Sequence, residues 1–106
     1  MNKLMLIFLL TISLTGSHLM AGKSWTGHVS DSKCGVAHAD HSAKSIGCVK
    51  SCVGGGAQPV FVTEDKKVIK ISNPDKVTAH LGHQVEITGV LKEGTLTIKD
   101  VKHLAP

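Results

Sequence analysis

The chain has 106 residues with 12 basic and 8 acidic side chains, a net charge of +4 with histidine neutral. Every basic residue is a lysine, tyrosine is absent, and aromatic residues make up 3%. That argues against a nucleic-acid partner, because single-strand binding rests on aromatic platforms and arginine is the usual bidentate reader of phosphate and bases.

Met1-Asn2-Lys3 precedes an apolar run, Leu4-Met5-Leu6-Ile7-Phe8-Leu9-Leu10, that continues more weakly through Ile12 and Leu14. A basic start, a short apolar stretch and then small residues is the pattern of an export signal. The run falls short of the roughly 20 apolar residues needed to span a bilayer. Residues 1–21 are therefore read as a signal peptide, cut after Ala21 or, alternatively, after Ser17. No cysteine follows the run, so a lipid anchor has no attachment residue. The expected product is a periplasmic or secreted protein, residues 22–106, not membrane-spanning once the leader is gone. Lys3 leaves with the leader, so the mature charge is near +3. About 85 residues make one domain, close to the size at which a disulfide or metal assists folding.

Residues 24–30 alternate at period two and predict a first strand. Residues 31–47 are rich in Ser, Gly, Asp and His and read as a loop. Residues 46–53 predict a short helix that Gly54-Gly55-Gly56 stops. Residues 59–63 form the second strand, residues 64–67 a polar turn, and residues 68–71 the third strand. Asn73-Pro74 sets a helix start over 74–81, with Asn as cap and Pro at the first helical position. Val85, Ile87 and Gly89 mark a fourth strand, Glu93-Gly94 a tight turn, and Leu96, Ile98 and Val101 a fifth. The expected fold is mainly β: a small five-stranded OB-like barrel with one short helix between strands 3 and 4. A Cys/His-rich insert, residues 31–57, follows strand 1. An SH3-like barrel or an open meander is the alternative.

The insert holds the only dense constellation: Cys34-x3-His38-x2-His41-x6-Cys48-x3-Cys52. Thiolate and imidazole are the donors that zinc, copper and iron prefer. A helix over 46–53 would project Cys48 and Cys52 from one face, four residues apart, with Cys34 and His38 or His41 completing the set. The competing reading is a disulfide from Cys34 to Cys48 or Cys52, closing a loop of about 15 to 19 residues, worth roughly 3 kcal/mol. It leaves one thiol spare, which is awkward in an exported protein. The C-x2-C arrangement of redox thiols is absent. Nor is there a nucleophile elbow, an H-E-x-x-H or a phosphate loop, leaving Cys34 with His38 as the one catalytic option. His28 reads as a solvated strand residue, His80 and His83 as helix-end residues favoured by the dipole, and His103 as exposed.

The stretch Trp25-Thr26-Gly27-His28-Val29-Ser30-Asp31-Ser32-Lys33-Cys34-Gly35, the later Cys48-x3-Cys52-x-Gly-Gly-Gly, and residues 81–89 resemble an uncharacterised family of small exported bacterial proteins. The resemblance spans about Trp25 to Ile98. It implies an exported OB-like β-domain with this cysteine insert, and it carries no activity. By position, Cys34, Cys48 and Cys52 match the family's cysteines and His38 a histidine often found after the first. His41 has no counterpart in that pattern.

The expectation is an exported metal- or cofactor-binding β-barrel module whose ligands are Cys34, His38, Cys48 and Cys52, with His41 as alternate. Zinc is the default ion, with copper or iron as options, and the partner is the metal ion or a small ligand. The alternative function is a disulfide-stabilised binding module for a glycan, peptide or envelope partner. Binding, not catalysis, is the expected role.

Overall fold

A computed structural model describes residues 22–104, with His38 described at its backbone alone. The leader read at residues 1–21 lies outside the described residues. The elements are β1 (Lys23–Asp31), a 3-10 turn (Gly35–His38), α1 (Ala43–Gly54), β2 (Pro59–Thr63), β3 (Val68–Ile71), a 3-10 helix (Pro74–His80), β4 (Gln84–Lys92) and β5 (Thr95–His103). The strands form a ring in the order β1-β2-β3-β5-β4, with β4 returning to pair with β1. Neighbours run antiparallel except β3 and β5, which pair in parallel through Lys70–Thr95 and Ile71–Leu96. The domain is thus mainly β, with one α-helix among the described residues. No described helix is long and apolar enough to cross a membrane.

Alternation explains the strands. Val85 and Ile87 in β4 and Leu96 and Ile98 in β5 point inward, where they meet Val29 and Phe61. Val77 and Leu81 from the 3-10 helix and Val49 from α1 complete the core. Each fully buried side chain of this size stabilises by roughly 1.5–3 kcal/mol. Glu93 and Gly94 both adopt positive φ, 52° and 80°, as a two-residue type I′ hairpin turn requires.

Two elements differ from the sequence expectation. The segment after β3 is a 3-10 helix, and Asn73 does not cap it. The Asn73 amide is engaged by β5 instead: Nδ2 donates to the Ile98 carbonyl at 2.8 Å and the Ile98 N–H donates to Oδ1 at 2.9 Å. α1 is longer than residues 46–53 because Ser42 caps it, its Oγ accepting from the Ser45 N–H at 3.1 Å.

The last three residues of β1 (Val29, Ser30 and Asp31) are all buried, which breaks the period of two. The cause is the insert, which folds back over the strand's outer side. Ser30 Oγ donates to the Gly35 carbonyl at 2.6 Å. At the base of the insert, Ser32 N–H donates to the Gln58 carbonyl at 2.8 Å and Gln58 N–H to Ser32 Oγ at 3.0 Å. Gly82 sets where α1 lies. Its φ is +82°, and a Cβ there would fall 2.5 Å from Ile46 Cα, so only glycine lets the helix backbone approach. Gly82 N–H donates to the Val29 carbonyl at 2.8 Å, and Val29 N–H to the His83 carbonyl at 3.1 Å. α1 is thereby held where β1, the 3-10 helix and β4 meet.

Candidate metal centre

The site is built outward from Asp31, the final residue of β1 and fully buried. Its Oδ1 accepts from the backbone N–H groups of Lys33 and Cys34, each at 2.9 Å. This turn is the kind that Asp side chains make with backbone two or three residues on, and it fixes the path of the chain into Cys34. The other oxygen, Oδ2, is buried with no hydrogen-bond partner. Leaving a buried acceptor unpaired costs roughly 1–3 kcal/mol.

From the opposite side α1 brings Cys52. A carboxylate oxygen of Asp31 and the Sγ atoms of Cys34 and Cys52 all lie within 4.8 Å of one another. Both cysteines are half-buried free thiols. The Cys34 thiol is pushed above its ordinary value, first by desolvation, then by Asp31 and Cys52 nearby. A raised thiol is a poor nucleophile, which weighs against the Cys34–His38 catalytic pair. The same crowding of acceptors with too few donors suits a cation.

Of the residues singled out in the sequence, Cys34 and Cys52 come together. Cys48 lies one turn earlier on the same helix, half-buried, a free thiol close enough to add to the field at Cys34. His41 is turned elsewhere. Its φ is +47°, and its Nδ1 lies 2.8 Å from His28 Nε2, the two rings stacked at 5.0 Å. His28, expected to be solvated, is half-buried because the insert lays His41 across it. Desolvation by burial, followed by the charge of His41, lowers the His28 pKa from 6.5. The His38 side chain lies outside the described part of the structure.

Asp31 is the residue that sequence reasoning passed over as a ligand. Its signal was its place three residues before Cys34, where an Asp side chain can hold the turn. Burial of its second oxygen comes from the insert and has no local sequence mark.

Comparison of the chain with protein-family models, with curated proteins and with solved structures returned no match.

Proposed function

We propose that the chain is an exported metal-binding β-domain, in which Asp31, Cys34 and Cys52 hold a borderline or soft cation. The observation that carries this reading is the buried carboxylate of Asp31, with Oδ2 unpartnered and one of its oxygens within 4.8 Å of two free thiols. A cation gives the unpaired oxygen a partner and offsets the negative field of Asp31, which adds to desolvation in raising the Cys34 thiol. Two sulfurs and one oxygen favour zinc, which accepts Cys and Asp ligands together; copper(I) and iron are the alternates. Cys48, His38 and His41 are the candidates for a fourth ligand. The ring order, with a helical segment between β3 and β4, supports an OB-like assignment for the scaffold.

Export is inferred from the leader, and an oxidising destination makes a Cys34–Cys52 bond the direct competitor. Native mass spectrometry of protein recovered from the periplasm, together with thiol titration after denaturation in chelator, separates the two. Ligation predicts stoichiometric metal and three titratable thiols. One thiol and no metal would overturn it in favour of a disulfide-stabilised binding module.

A further inference from the structure

Three other histidines converge away from the thiols. His80 ends the 3-10 helix, His83 lies just before β4, and His103 ends β5. The backbone sets them together: His83 N–H donates to the His80 carbonyl at 3.0 Å, and His103 pairs in register with Val85, two residues beyond His83. His103 is the hub. Its Nδ1 lies 3.2 Å from His80 Nδ1, and its ring centre lies 4.6 Å from that of His83.

Two nitrogens bound to one ion at about 2.0–2.1 Å stand roughly 2.9–3.4 Å apart at square-planar or tetrahedral angles. The His80–His103 separation falls in that range. His83 Nδ1 is buried with no hydrogen-bond partner; the three rings do not bring one nitrogen each within 4.8 Å of one another, so the His83 ring must turn for its free nitrogen to join the pair. The charged groups that act on His80 and His83 are other histidines and Lys50, with no carboxylate among them. Neutral imidazole is the form that binds metal. His103 is exposed and His80 half-buried, so an ion can enter from solvent.

We propose that His80, His83 and His103 form an all-imidazole site for a divalent transition-metal ion, with copper(II) the tightest-bound of the class. Imidazole suits copper, nickel and zinc, and among these divalent ions copper binds most strongly. The site stands independently of the thiol centre, shares no ligand with it, and would persist if that centre proved to be a disulfide.

Copper(II) chloride titrated into the full-length chain carrying Cys34→Ser, Cys48→Ser and Cys52→Ser is the direct test, followed by electron paramagnetic resonance. The expected result is one tight equivalent with nitrogen superhyperfine splitting. His103→Gln and His83→Gln should each weaken it at least about tenfold, and His28→Gln should leave it unchanged. Equal binding by His103→Gln and its parent would overturn the proposal, as would the absence of nitrogen coupling. If the thiol-free chain does not fold, wild-type protein titrated with zinc chloride answers the same question through imidazole nitrogen resonances. Zinc should move those of His80, His83 and His103 and spare His28. No movement of the three through two equivalents would overturn it.

Discussion

Asp31 divides its work between two oxygens, and the division can be tested by two substitutions. Asp31→Asn keeps an acceptor for the Lys33 and Cys34 N–H groups but loses the charge. It should bind zinc at least about tenfold more weakly while unfolding in urea within roughly 1 kcal/mol of wild type. Asp31→Ala removes the turn bonds as well and should cost roughly 1–3 kcal/mol. Zinc affinity comes from dialysis against a competing chelator; wild-type affinity in Asp31→Asn would remove Asp31 from the site. His28 carries a pH dependence. Burial and His41 hold its folded pKa below 6.5, so the unfolded chain takes up the proton first as pH falls. Its contribution is full above about pH 6.5 and is lost as pH drops below that toward the folded pKa. In chelator, the urea midpoint should fall between about pH 7.5 and 5.5, and His28→Asn should flatten part of that slope. An unchanged slope would mean that the stacked pair does not hold the insert. The cysteines were legible from spacing alone. The His28–His41 contact was not, because it joins residues 13 apart through a left-handed turn at His41 that no local pattern announces.

At the level of elements, period-two alternation made the strands readable, and the limits of β2 and β3 match the sequence reading residue for residue. The helices were read less well, for a shared reason: a polar side chain found a different partner from the local one. Asn73 is taken by Ile98 across the ring, so the segment it precedes stays 3-10. Ser42 caps a helix that begins inside what looked like loop. Ser42→Ala should therefore cost about 1 kcal/mol. The more informative change is Gly82→Ala. It forces an unfavourable φ and drives a methyl into Ile46, with an expected loss of roughly 1–3 kcal/mol. Because Cys52 rides on α1, zinc affinity should fall along with stability, though no ligand is altered. Retained affinity in a destabilised Gly82→Ala protein would show that α1 is positioned by contacts other than this one.

For the molecule as a whole, the ring's core and the thiol site are built from different residues. Phe61, Ile87, Leu96 and Ile98 close the interior without help from Asp31 or the cysteines. Removing metal should therefore loosen the insert and leave the ring folded. Amide exchange should accelerate across residues 31–57 in chelator, with the amides of Ile87 and Ile98 still protected. Zinc at about 100 times its dissociation constant should raise stability by roughly 2.7 kcal/mol. Equal loss of protection in ring and insert would show that the metal is part of the fold itself.

The parallel β3–β5 pairing is the weakest stretch of this ring, just two rungs long. Beyond those rungs, Ser72 N–H donates to the Leu96 carbonyl at 2.9 Å, Ser72 Oγ lies 2.7 Å from Thr97 Oγ1, and the Asn73 amide mimics a further peptide against Ile98. Side chains thus act as stitches where backbone runs out, and the cylinder has a seam. Thermal breathing should start there, with β3 peeling from β5 while β4 keeps its long antiparallel hold. That places the domain's most exposable strand edge on the side closed by Ser72 and Asn73.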